Sequence, residues 1–178
     1  MPTLLSTAYL PPALWVAHAV QSDSVLLEAN EKFQKQSYRS RTEIAGPNGK
    51  QVLSVPVDRS VKDILHTPLS YKEDWVKNHL RSIETAYANS PFFEVLFPDL
   101  EEVLNNQFKT LWELNLATIK LLFYWLEFSK DIEYTSSFEP DFHGYDARSL
   151  HPKRELDVEM PTYLQVFSEK NGFISNLS

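Results

Sequence analysis

Thr3-Leu-Leu-Ser-Thr-Ala-Tyr-Leu-Pro-Pro-Ala-Leu-Trp-Val-Ala-His-Ala-Val-Gln-Ser-Asp-Ser-Val-Leu-Leu-Glu-Ala29 reads as strand, helix, strand. The first strand, Thr3 to Leu10, stops at Pro11-Pro12, residues that cannot donate to a ladder but fit the first turn of a helix. Ala13 to Val20 then carries Leu14, Val16, Ala17 and Val20, a short buried helix closed by Ser22-Asp23-Ser24. Ser24 to Ala29 is continuously apolar before Glu28, as expected of a strand covered on both faces. Strand, crossover helix and strand make a right-handed βαβ unit. Ligands of such units gather at the carboxyl ends of the strands, here Tyr9 to Pro12 and Glu28 to Lys32.

Both ends abut the stretch from Glu31 to Val57, where Lys32, Lys35, Arg39, Arg41 and Lys50 build a local positive field. Pro47-Asn48-Gly49 is a turn signal between two extended runs, Tyr38 to Ile44 and Gln51 to Val57, so the pair reads as a β-hairpin. Side chains alternate along a strand, which puts Arg39 and Arg41 on one face and Tyr38, Ser40 and Thr42 on the other. Two guanidinium forks on a rigid strand suit a carboxylate or a phosphate.

Helical spacing takes over beyond the hairpin. Asp63 to Pro68 reads as a short strand, and Ser70 with Glu73 as a capping box that starts a helix near Tyr71. Val76, Leu80, Ile83 and Tyr87 form its apolar stripe, with Trp75, His79 and Ser82 alongside. Ser90-Pro91 opens a further helix, Pro98-Asp99 restarts the count, and Leu100 to Leu126 continues the period with a break near Asn105-Asn106. Ser136 to Met160 is irregular, a length that marks a functional or mobile segment. Tyr163 to Phe167 resumes as a strand. With no repeat or linker, residues 1–178 read as one α+β domain: a mixed sheet with an N-terminal βαβ unit and hairpin, packed against three to four helices.

Composition narrows the function classes. A chain of 178 residues with 43% apolar and 13% aromatic content builds a real core. A net charge of −7 excludes a general nucleic-acid binder. The absence of cysteine excludes thiolate zinc sites, cysteine nucleophiles and disulfides, in keeping with a reducing cytoplasm. No apolar run spans a membrane and the start lacks the basic end of a secretory signal, so the protein is expected to stay in the cytoplasm. With four glycines there is no phosphate loop or Rossmann fingerprint. Neither a nucleophile elbow nor HExxH occurs. No histidine pair has ligand spacing, so neither metal nor cofactor is expected.

Tyr9-Leu-Pro-Pro, the Lys35 to Arg41 run, Asn48-Gly49 followed by Leu53-Ser-Val-Pro-Val57, Trp75-x-x-x-His79, Tyr87, Ser90-Pro91-Phe92-Phe93, Leu111-Trp-Glu-Leu-Asn115 and Tyr163 to Ser168 come in one order. That ordered set resembles the WbqC-like family of bacterial proteins over nearly the whole chain. The resemblance implies a cytoplasmic enzyme of surface-polysaccharide (O-antigen) synthesis that decorates an activated amino sugar, with glycyl transfer suggested for some members. Two departures stand out: Ser40, where the family commonly has Asn, and the expected apolar segment beyond Ser178, whose lack implies a missing partner surface or an altered pocket.

The candidate site follows from these readings. Arg39, Arg41 and Lys35 are electrostatic clamps for a diphosphate or carboxylate, or else a solvated face countering Glu28, Glu31 and Glu43. His79 is a general base or a satisfied half-buried histidine. Tyr87 stabilises an oxyanion or packs in the core. Tyr9 and Trp75 stack on a sugar or base ring or serve packing, and Asn48 joins the substrate-binding set. The substrates implied are a nucleotide- or lipid-linked amino sugar and an activated acyl or aminoacyl donor. A non-catalytic sugar-nucleotide-binding or scaffolding subunit is the other reading, and a homodimer through exposed helix faces a third.

Overall fold

A computed structural model describes residues 1–154 and 158–178. The fold is α+β, with strands β1 (Thr3–Leu5), β2 (Val25–Leu27), β3 (Arg41–Gly46), β4 (Gly49–Ser54), β5 (Ile132–Tyr134) and β6 (Tyr145–Asp146). The helices are α1 (Ala13–Gln21), α2 (Trp75–Tyr87), α3 (Phe93–Asn105), α4 (Leu111–Trp125) and α5 (Ser168–Asn171). The opening strand–helix–strand unit is present, and β1 pairs with β2 in parallel, Leu4 opposite Leu26. β5 and β6 extend this sheet in the order β5-β2-β1-β6, every pairing parallel. Leu4, Leu5, Val25 and Leu27 are fully buried, as strands covered on both faces require.

Those two outer strands were not legible as strands. β6 is two residues long and β5 three, too short to show a period. Tyr163 to Phe167, expected to be a strand, is not one. The side-chain amide of Gln165 donates to the Ile174 carbonyl at 2.7 Å and accepts from the Ile174 N–H at 2.9 Å, closing this stretch on itself. Leu164 is left 93% exposed.

The hairpin forms, with Gly46 opposite Gly49 and Arg41 opposite Ser54. Gly49 takes φ +102°, a conformation that disfavours any side chain. β3 starts three residues later than expected, because Tyr38 to Ser40 turn instead of extending. Facing residues of an antiparallel pair share a face, so Arg41, Glu43 and Lys50 lie on one side and Thr42, Ile44, Gln51 and Leu53 on the other. The second face packs on α2, where the Gln51 amide donates to Ser82 Oγ at 3.0 Å.

Other local expectations shift for local reasons. Asp63 Oδ1 accepts from the N–H groups of Leu65 and His66, making a turn of the predicted 63–68 strand. The Ser70 N–H is taken by the Pro56 carbonyl, and α2 begins only at Trp75. The capping box sits on α4 instead, between Thr110 and Glu113. α3 runs through Pro98 rather than restarting there.

Candidate functional site

The parallel sheet sets the location. The chain moves from β1 outward to β2 and β5, then returns to place β6 on the other flank of β1. The carboxyl ends of β1 and β6 therefore flank the point at which strand order reverses, the place where open parallel sheets commonly take ligands. Polar side chains collect along this edge. Glu28, just past β2, is fully buried and accepts from Thr135 Oγ1 at 2.6 Å, the Asn30 N–H at 2.9 Å and the Glu139 N–H at 3.1 Å. Arg148, two residues past β6, adds a 2.9 Å ion pair to the same carboxylate and grips Asp146 through a second.

Arg39 reaches the same edge from the base of the hairpin. It is only 2% exposed and forks onto Glu31, with Nε donating to Oε1 at 2.7 Å and a second donor on Oε2. That second nitrogen also donates to Ser6 Oγ at 2.6 Å, and Ser6 Oγ donates to Glu31 at 2.9 Å. The Arg39 carbonyl accepts from Asn115 of α4 at 2.8 Å. Its guanidinium is thus consumed by the fold, tying β1, the 31–39 loop and α4 together. The expectation that Arg39 and Arg41 would share one strand face gives way, since Arg39 lies in the turn before β3 and pairs with one of the carboxylates weighed against it.

Arg41 is placed differently. It is half-buried on the hairpin face away from α2, and its Nε is buried with no hydrogen-bond partner among the described residues. An orphaned guanidinium nitrogen is a costly group to leave unsatisfied. Residues 151–154, within the segment read as irregular, come to this side of the hairpin. Burial, then the positive charges of Arg154, Arg39, Lys153 and Arg41, hold the His151 imidazole below its ordinary range. Beside this cationic group lies a polar cleft of about 460 Å³ bounded by Tyr38, Glu43, Lys50, Arg154 and Asn176. Lys50 is paired with Glu43 at 2.9 Å. Burial pushes the Tyr38 phenol up to about 12, and its oxygen accepts from Asn176 at 3.1 Å.

The second imidazole sits on the opposite side of the hairpin. His79 is 5% exposed, and its Nδ1 lies 3.0 Å from the Tyr9 hydroxyl. Burial lowers its pKa to about 4, opposed by a hydrogen bond to the Ser54 backbone. These partners assign the neutral tautomer, Nδ1 accepting from Tyr9 and Nε2–H donating to Ser54. Tyr9, fully buried, and Trp75 pack edge to face with ring centroids 6.3 Å apart, and Trp75 meets His79 at 5.2 Å. Tyr9 and Trp75, expected to stack on a ligand ring, stack on each other and on His79.

The remaining predicted residues scatter. The Tyr87 hydroxyl accepts from the Ala45 N–H at 3.2 Å, and its ring lines an apolar cavity of about 180 Å³ with Ile44, Ile83, Leu100 and Trp125. Lys35 is exposed in the turn before Arg39, and Asn48 is exposed at the hairpin tip. His151, Arg148 and Arg154 were not singled out from sequence. His151 stands in a patternless run, and only the chain's return to β1 brings its turn to the hairpin face that carries Glu43 and Lys50. Among the described residues, no three of His, Cys, Asp and Glu gather as metal ligands. None of the described helices is long and apolar enough to cross a membrane.

The model of the WbqC-like protein family matches residues 7–159. This chain belongs to the WbqC-like family. No curated protein and no solved structure matches it. The match takes in both imidazoles, the hairpin and every strand but β1, so the WbqC-like region contains the two candidate sites and stops short of α5.

Proposed function

We propose that this WbqC-like protein is a transferase of bacterial surface-polysaccharide (O-antigen-like) biosynthesis that moves an acyl or aminoacyl group, glycyl included, onto an amino sugar carried by a nucleotide or lipid. The observation that carries the reading is Arg41, half-buried with its Nε unpartnered on the hairpin face that also carries Glu43 and Lys50. A diphosphate or carboxylate supplies the missing acceptors, and a guanidinium fork binds either one in bidentate fashion. Arg154 and Lys153 add positive field on the same side. Lys35 extends it from the turn below.

Within this reading His79 acts as a positioning residue. It holds the Tyr9 hydroxyl, while the Tyr9 N–H donates to the Tyr38 carbonyl at 2.8 Å and Thr42 Oγ1 donates to the Leu10 carbonyl at 2.9 Å. These bonds fix the base of the hairpin from which Arg41 projects. Tyr87 keeps the far end of β3 against α2 through Ala45.

The test is to incubate the protein with nucleotide-linked amino sugars and activated acyl or aminoacyl donors, and to look by mass spectrometry for the transferred group. Turnover that Arg41→Met abolishes supports the transferase. One observation favours a second reading, a non-catalytic sugar-nucleotide-binding or scaffolding subunit: both nitrogens of His79, the one helix-borne imidazole bordering the hairpin, are already engaged. Calorimetric binding of a sugar nucleotide without turnover over long incubation selects that alternative.

A further inference from the structure

We propose that three adjoining cavities between the hairpin and helices α2, α3 and α4 form a binding site for a hydrocarbon chain, its terminal carbons beside Leu10 and Trp125 and its polar end toward Asn89 and Ser90. The site lies on the α2 side of the hairpin, through Ile44, and is separate from the face that carries Arg41. The innermost cavity is the one of about 180 Å³ already described. A second, of about 310 Å³, shares Ile83, Tyr87, Leu100 and Trp125 with it and continues past the stacked rings of Phe93 and Phe97. A third, of about 460 Å³, shares Tyr87, Ser90 and Pro91 with the second and reaches Tyr163 and Leu164.

The chemistry of the walls selects the ligand. No charged side chain lines any of the three cavities among the described residues, in a chain that is 23% charged. At the inner end the polar side chains are already engaged: Thr118 Oγ1 donates to the Asn115 carbonyl at 3.0 Å, and the Tyr87 hydroxyl accepts from the Ala45 N–H at 3.2 Å. Water needs two to four polar partners to occupy a cavity, whereas apolar cavities of about 150 Å³ take hydrocarbon. Protein interiors are close-packed, so voids on this scale are departures from the rule. Leu10, which borders the innermost cavity, holds φ +43°, a costly conformation for a bulky residue, and Thr42 Oγ1 pins its carbonyl at 2.9 Å.

Polarity appears only toward the outside. Asn89 is exposed there, and Ser90 borders both outer cavities, its Oγ buried with no hydrogen-bond partner among the described residues. Leu164 and Tyr163, 93% and 47% exposed, flank the outermost cavity. A compact ring would occupy one of these spaces. A flexible chain occupies them in series, covers Leu164 on its way out and leaves a neutral polar group beside Asn89. Fatty acyl and isoprenoid chains share this chemistry.

The probes are hexanamide, octanamide and decanamide, with citronellamide as the branched isoprenoid counterpart, titrated by calorimetry into the native protein. Affinity is expected to rise about threefold per added CH₂ along the straight series. The tighter binder of decanamide and citronellamide assigns the source, acyl or isoprenoid. ω-Bromodecanamide, whose bromine quenches indole emission on contact, is expected to quench saturably, and Trp125→Phe to remove the quenched fraction. Leu121→Phe, which fills the innermost cavity, is expected to weaken decanamide binding about tenfold or more. Binding of inorganic pyrophosphate, the probe of the Arg41 face, should be unchanged in that variant. Absence of binding, or an affinity that ignores chain length, overturns the proposal and leaves the anion site standing. A dimer seen by light scattering that Leu164→Ser dissociates, with no amide bound, assigns the exposed end to a second copy and overturns it as well. The chain-length series is read on the native protein, so a variant that fails to fold does not shield the proposal.

Discussion

The two faces of the β3–β4 hairpin each carry an imidazole, and the surroundings of the two rings differ in kind. His79 lies against Tyr9, Trp75 and the Ser54 backbone, both of its nitrogens are engaged, and water is excluded. His151 lies half-buried among four cationic side chains with one nitrogen held by its own turn. Burial depresses both rings, but neighbouring positive charge acts on the second alone. What separates the two rings is therefore the number of nitrogens the fold leaves unspent, and not helical placement or proximity to an apolar stripe. The same contrast divides the two arginines that look paired in sequence. Arg39 is spent on Glu31 and Ser6, whereas Arg41 keeps an unsatisfied Nε.

The sharpest way to break this division is through the buried pair. Glu31→Ala leaves the Arg39 guanidinium uncompensated at 2% exposure and is expected to lower stability by about 3–5 kcal/mol in chemical denaturation. A loss under about 1 kcal/mol would return Arg39 to the pool of available clamps. Next comes pH. His79 is held at about 4, below its unfolded value near 6.5, so on acidification the unfolded chain takes up the proton first. Its contribution is complete above about pH 6.5 and is lost as the pH falls toward 4, by up to about 3 kcal/mol. The stability difference between the native protein and His79→Gln should therefore shrink across that window. A difference independent of pH would mean the ring is solvated.

Smaller effects sharpen the comparison. Tyr9→Phe removes the donor to His79 Nδ1 while keeping the ring packing, and about 1–2 kcal/mol of stability should go with it. Arg41→Met should leave the stability unchanged or raise it by up to about 1 kcal/mol in chemical denaturation, since no partner is lost and an unsatisfied buried nitrogen is removed. The same substitution should weaken pyrophosphate binding about tenfold or more in calorimetry. Large destabilisation with unchanged binding would move Arg41 to the same class as Arg39.

Sequence reading reached the opening βαβ unit, the hairpin and the helical middle because each rests on a local signal: Pro11-Pro12 before a short apolar period, Asn48-Gly49 between extended runs, and the Val76, Leu80, Ile83 stripe. It also pointed to the carboxyl ends of β1 and β2. It missed β5 and β6, since strands of two or three residues take their identity from pairing partners 100 or more positions away. It read Ser70 and Glu73 as a cap because the spacing is right, although the Ser70 N–H is claimed by Pro56 across the fold. Trp75 and His79 were read as neighbours on one helix stripe, and Tyr9, read with Trp75 only as a stacking ring, joins them in space. Whether such a group faces a ligand or a core is set by burial, which spacing does not record.

By itself, the sequence determined the α+β class and the basic stretch against an acidic background, which follow from local periodicity, turn chemistry and composition, and the family resemblance, which follows from an ordered set of motifs. Only the tertiary structure decided which cations are free and which imidazole is buried. The return of the chain from β5 to β6 carries the 151–154 turn to the hairpin face of Glu43 and Lys50, the turn at Tyr38 to Ser40 buries Arg39 on Glu31, and both are consequences of long-range pairing.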